Sequence, residues 1–259
     1  MDIVVLVKQV PDSGSERTLD PSDNTVARSA ADNVLNELDE YAIEEALKVK
    51  EAHGGEVTIL SMGPDSASDV IRKALSMGAD KAIHVSDSGV HGSCVIATSA
   101  VLAKALGTVA WDLVISGAQS TDGGLTMMPA LLAERLGVAH LSGARKLTVD
   151  GNTLTVERQT DGGYWIIQAQ TPAIVSTWDT MNEPRYPSFK GIMAAKSKPV
   201  TTLTLADLGI EASEVGLAAA TSTVLEFANR PPKGEGEQIK DEGDGAAKLA
   251  DFLASKKFV

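Results

Sequence analysis

An α/β fold, a parallel sheet flanked by helices with an antiparallel hairpin and a C-terminal arm added to it, is what this sequence predicts, and three observations carry the prediction. The first 140 residues alternate short apolar runs with helical patterns, a rhythm that places a parallel sheet between helices. That rhythm then gives way to half-apolar runs broken at Asp150-Gly151 and Gly162-Gly163, dipeptides suited to tight hairpin turns. Residues 228–245 are rich in Pro, Gly and charge, which reads as a linker before one last helix.

The elements follow in order. Ile3 to Val7 is a continuous apolar run, as expected of a strand buried on both faces. Asn36 is an N-cap for a helix whose first turn holds Glu37, Asp39 and Glu40, acids that suit the positive end of the helix dipole. Ala42, Ile43, Ala46, Leu47 and Lys50 keep helical spacing, with Glu44 and Lys48 as an i,i+4 pair. Val57 to Ser61 is the next strand, and the helix after it is capped by Asp65 and ended by Gly78. A strand over Ala82–Val85, an alanine-rich helix over Ser93–Leu106 with Cys94 in the core, a strand over Leu113–Ser116 and a helix from Pro129 complete the alternating part. Arg145 to Trp178 reads as three half-buried strands. The last helix, Ala246 to Lys257, sets Leu249, Phe252 and Leu253 on one face, which another chain is a candidate to cover. The expected division is a body over residues 1–227 and an arm over residues 228–259.

Composition narrows the function. The 259 residues are 43% hydrophobic and 22% charged, enough to bury a sizeable core. A formal net charge of −12 argues against a nucleic-acid partner. A single cysteine excludes an intramolecular disulfide and fits a reducing compartment. The N-terminal run has no basic flank, and no apolar stretch approaches the ~18 residues that span a bilayer. A cytoplasmic protein without membrane insertion is the expectation.

In an open parallel sheet, ligands bind beyond the carboxyl ends of the strands. One such end leads into SGAQSTDGGLTMMPALL, where hydroxyls, an acid and two glycines precede a helix. It reads either as a phosphate cradle of backbone amides with Ser120, Thr121 and Thr126 as further donors, or as a helix-capping turn. His84 reads as a structural histidine, Met127-Met128 as core, and Arg158 as a partner contact or a hairpin end. His53, His91 and His140 have no partner at metal-ligand spacing, and no nucleophile elbow is present. Nothing resembles a reaction centre.

One segment stands against the acidic background. MNEPRYPSFKGIMAAKSKP, residues 181–199, carries four cations (Arg185, Lys190, Lys196, Lys198) and no acid after Pro184. With VERQTDGG and TPAIVST before it, the segment closely resembles the electron transfer flavoprotein β subunit, where a VxRxxDGG hairpin precedes a PA strand and a PRYPxxxxIMxAKKK loop. The likeness runs from IVVLVKQVPD through DEYAIEEALKVKE and IRKALSMGADKAIHV to LTLADLGI, nearly the whole chain, and is most like actinobacterial forms.

The resemblance implies an adenine-nucleotide-binding, Rossmann-like body in a heterodimer whose α subunit holds most of the FAD. It implies AMP in this subunit, or a second FAD in the bifurcating group. By position the nucleotide contacts are Leu6, Asn36, Glu37, Leu38, Asp39, Met62, Gly117, Gln119, Ser120, Thr121, Asp122, Gly123, Gly124, Leu125, Thr126, Met127 and Met128. Residues 181–199 match a loop that docks acyl-CoA and related dehydrogenases. Phe189 is its apolar anchor, Lys190, Lys196 and Lys198 its basic rim, and Arg185, Tyr186, Ile192 and Met193 lie beside them. Arg158, Leu249, Phe252 and Leu253 fall to the α subunit, with Gln159, where relatives often have an acid, weakening a latch there. The implied role is an electron carrier that passes electrons to a quinone oxidoreductase and is no enzyme itself. The competing reading is a freestanding adenine-nucleotide-binding module of stress-protein type, which shares the α/β architecture.

Overall fold

The computed structural model describes residues 1–229, 231, 232, 234, 236 and 238–259; the expected 228–245 linker thus includes four positions outside the described residues. The chain divides into two compact units, Met1–Leu225 and Glu226–Val259.

In the first unit one sheet of nine strands is built from β1 (Ile3–Leu6), β4 (Val57–Met62), β5 (Lys81–Val85), β6 (Leu113–Gly117), β7 (Ala139–Asp150), β8 (Thr153–Thr160), β9 (Gly163–Gln170), β10 (Ala173–Thr177) and β11 (Val200–Leu203). Their order is β11-β5-β4-β1-β6-β10-β7-β8-β9. Strands β11 to β7 pair parallel, and β7-β8-β9 form an antiparallel meander. A second small sheet pairs β2 (Gln9–Pro11) with β3 (Asn33–Leu35).

Successive side chains of a strand point to opposite faces, so the sheet feeds two cores. Ile3 and Val5 share one with Ile43, Leu47, Ile71 and Leu75 of α1 (Glu37–His53) and α2 (Ser68–Met77). Val4 and Leu6 share the other with Val101, Leu106 and Leu132 of α3 (Val95–Leu106) and α4 (Met128–Leu136). Gly137, at φ 67°, ends α4 in the left-handed region that favours glycine. Among the described residues no helix is long and apolar enough to cross a membrane.

The structure corrects several expectations. The stretch 145–178 holds four strands, because Thr171-Pro172 breaks the third and sends β10 into the parallel sheet between β6 and β7. Proline cannot donate to a ladder, so the strand restarts after it. Asp65 caps nothing: it is the first residue of a 3-10 turn and accepts a hydrogen bond from Ser86 Oγ at 2.7 Å. Glu44 does not pair with Lys48 but turns inward to Arg185. Cys94 stands half-buried at the N-cap of α3 rather than in the core. The thiol loses hydration there, yet hydrogen bonds from Thr221 and the first amides of α3 outweigh this and bring its pKa to about 7.

In the second unit, α6 (Gly245–Ser255) carries an i,i+4 pair, Lys248–Asp244 at 2.8 Å, and exposed Leu249 and Phe252.

Candidate functional site

At the carboxyl edge of the sheet, the chain leaves β6 at Gly117 and runs through Gln119–Met127 into α4. Asn36 sits at the N-cap position of α1, but its side chain does not cap the helix. Its amide nitrogen donates to Asp39 Oδ1 (2.9 Å) and Gln119 O (3.0 Å), and its oxygen accepts from Thr121 N (3.0 Å). Asp39 Oδ2 accepts from Lys8 N at 2.8 Å. The α1 terminus, the end of β1 and the loop are thus clasped together through two buried side chains. Burial pushes the Asp39 carboxyl up to about 7, although the bonds from Asn36 and Lys8 oppose the shift.

Gly117 is required by this closeness. A methyl group there would meet Asp39 Oδ1 at 2.6 Å and Leu38 Cβ at 2.8 Å. Gly117→Ala is therefore expected to destabilise the body by about 2 kcal/mol and lower its melting temperature by about 4–8 °C. A wild-type melting curve for the variant would mean that the clasp is loose.

The loop gathers charges that the sequence did not announce. Asp122 Oδ1 accepts from Lys8 Nζ (2.8 Å) and Gly123 N (2.7 Å), and Oδ2 from Arg28 Nη2 (2.5 Å). Lys8 also donates to Ser120 Oγ at 3.2 Å, and Arg17 Nη1 donates to Thr121 O. Burial opposes ionisation of Asp122, but Lys8 and Arg28 outweigh it and hold the carboxyl well below the usual range. The amides of Gly123 and Gly124, expected to face a phosphate, are engaged inside the loop, that of Gly124 by Ser120 O at 2.8 Å. Gly124, at φ 62°, has open space where a side chain would stand. Leu6 lies beside Ser116 in register, and Ser116 Oγ is buried without a hydrogen-bond partner. Cations, an orphaned hydroxyl and an open glycine suit a nucleotide phosphate. Glu37 and Leu125–Met127 are exposed on the rim, Leu38, Met62 and Met128 half-buried.

The segment 181–199 is ordered around α5 (Phe189–Ala195), which the sequence had not suggested. Ser188 Oγ caps it from Gly191 N at 3.0 Å. Gly191 lets α5 approach α2, since a methyl there would meet Ser76 O at 2.4 Å. Arg185 is no free cation: it holds Glu44 (2.7 Å) and Glu51 (2.6 Å) of α1. Lys198, expected on a basic rim, instead donates to Leu75 O (2.9 Å) and Ala79 O (2.5 Å) at the end of α2. That leaves Lys190 and Lys196 exposed, beside Tyr186, Phe189, Ile192 and Met193, with Phe189 80% exposed.

Arg158 lies on β8, donating to Ser142 O at 3.1 Å and to Ser142 Oγ. Burial and this guanidinium hold His140 below the ordinary histidine range. His84 makes the structural bond expected of it, to Gly63 O at 3.1 Å. Among the described residues no cluster of His, Cys, Asp and Glu could hold a metal.

The family model described as "Electron transfer flavoprotein domain" matches residues 23–208. The chain is similar to the electron transfer flavoprotein subunit beta of Mycobacterium leprae, at 52% identity over 100% of this chain and 99% of the relative. It is also similar to the subunit of the same name from Megasphaera elsdenii, at 34% over 99% and 97%. The caffeyl-CoA reductase-Etf complex subunit CarD of Acetobacterium woodii is 36% identical over 99% and 97%. With the family match spanning most of the chain and relatives aligned end to end, this chain belongs to the electron transfer flavoprotein family as a β subunit, part of a flavin-associated electron carrier rather than an enzyme.

Proposed function

We propose that this chain is the docking and nucleotide-holding half of a heterodimer that carries electrons from acyl-CoA and related dehydrogenases to a membrane quinone oxidoreductase. The observation that carries this reading is Phe189, 80% exposed on a helix whose base is fixed to the body. An apolar ring held outward on a firm footing suits a partner's pocket, while Lys190 and Lys196 beside it steer encounter. The reading gains support from a relative named as part of a caffeyl-CoA reductase-Etf complex, since it points to the same class of partner.

FAD, held mainly by the α subunit, supplies the redox chemistry when bound. This chain's share is positional. Lys8, Arg28 and Ser120 are suited to orient a nucleotide phosphate at the 119–124 loop, with Asn36 and Asp39 bracing the loop from beneath. AMP is the nucleotide we infer, with a second FAD as the other outcome. Arg158 and the α6 face of Leu249, Phe252 and Leu253 are assigned to the α subunit, and the cytoplasm is the compartment inferred.

Co-expression tests the reading. The chain and its α subunit should purify as a yellow pair that accepts electrons from a reduced acyl-CoA dehydrogenase and releases one FAD and one AMP on denaturation. A chain ending at residue 244 should lose its α subunit while melting as before. A colourless homodimer that binds ATP would overturn the proposal in favour of the stress-protein-type module.

A further inference from the structure

We propose that Asp122 is a built-in counterion, its carboxylate filling the anion position of the 119–124 cradle until a phosphate monoester displaces it and takes over Lys8 and Arg28. The inference rests on reading this loop as the nucleotide site, and assigns the residues that set its phosphate affinity.

The donor set around Asp122 carries the argument. Its two oxygens receive Lys8 Nζ at 2.8 Å, the Gly123 amide at 2.7 Å and Arg28 Nη2 at 2.5 Å. An ammonium, a guanidinium and a backbone amide converging on one anion are the partners that carboxylate and phosphate share. The Asp122 side chain is only 1% exposed, so it lies under the two cations rather than in water.

Charge points the same way. In a chain with 35 acidic and 23 basic residues, Lys8, Arg17 and Arg28 gather on this loop. The side chains of Lys8 and Arg28 both end on one carboxylate, Asp122, so two cations meet a single negative charge there. A phosphate monoester, at roughly −1.5 to −2 near neutrality, balances Lys8 and Arg28 where one carboxylate does not.

Both arginines come from the excursion between β2 and β3, residues 12–32, which is tied down elsewhere. Asp23 holds His91 Nε2 at 2.7 Å, and Asn24 Nδ2 donates to Val224 O at 2.8 Å. An exchange of anions would therefore leave the excursion seated.

The test uses the heterodimer stripped of nucleotide and titrated calorimetrically with AMP and with adenosine. A charge-assisted hydrogen bond is worth about 1.5–3 kcal/mol, so each change should move AMP affinity by about tenfold or more. Asp122→Asn is expected to tighten AMP, Arg28→Gln to weaken it, and neither to alter adenosine. AMP bound by Asp122→Asn no more tightly than by wild type would overturn the counterion. Should that variant fail to assemble, unchanged AMP affinity in Arg28→Gln would overturn it as well. A wild type that binds neither compound would instead remove the nucleotide site itself.

Discussion

Replacing Arg185 by alanine is expected to destabilise the body by about 3 kcal/mol, which for a unit of this size lowers the melting temperature by about 6–12 °C. The reason lies in Glu44, whose side chain is 6% exposed on α1 and which receives Arg185 Nε at 2.7 Å and Nη2 at 3.0 Å. Removing the guanidinium leaves a buried carboxylate without its cation, a costlier state than the loss of the pair as a whole. The second contact, to the exposed Glu51, contributes little by comparison. Arg185→Ala combined with Glu44→Gln should recover part of the loss, because the unpaired charge is then gone. If the single variant melts with the wild type, the segment is held by its other ties, among them Asn182 to Tyr41 O at 3.0 Å.

Phe189→Ala should leave melting untouched and still be the most damaging substitution for partner binding. The ring is 80% exposed, so the free protein gains little from it. Burying it on a dehydrogenase contributes on the order of 2–3 kcal/mol from apolar area. Apparent affinity should then fall by about 30–150-fold. The readout is electron transfer from a reduced dehydrogenase, measured against dehydrogenase concentration. Saturation at the same concentration for variant and wild type would show that Phe189 is no anchor.

The alternating body was legible because each strand is a short apolar run and each helix an amphipathic one, closed by glycines such as Gly78 and Gly137. Position along the chain, however, says nothing of order across a sheet. Ala173–Thr177 looked like the tail of a hairpin strand, yet lies with all five residues buried between β6 and β7. The loop at 119–124 drew attention through its glycines, whereas the convergence of Lys8 and Arg28 on it stayed hidden. Their partner Asp122 is 114 and 94 residues away, and no spacing rule reaches that far. The four cations of residues 181–199 formed one class by composition and two by structure. Arg185 and Lys198 find acids and carbonyls inside the fold, while Lys190 and Lys196 remain exposed.

The place of β10 also governs the order in which this protein can be made. It pairs with β6 through Val175 and Ile115 and with β7 through Val175 and Leu141, and among the described residues it is the strand that links the two halves of the sheet. Residues 139–170 can close into their meander early, since its hairpins are local. Their strand pairing with the parallel layers runs through β10, so it waits for residues 173–177. A growing chain therefore carries two half-sheets with facing open edges, lined by Ile115 on one side and Leu141 on the other, and β10 closes the gap between them before β11 completes the far edge.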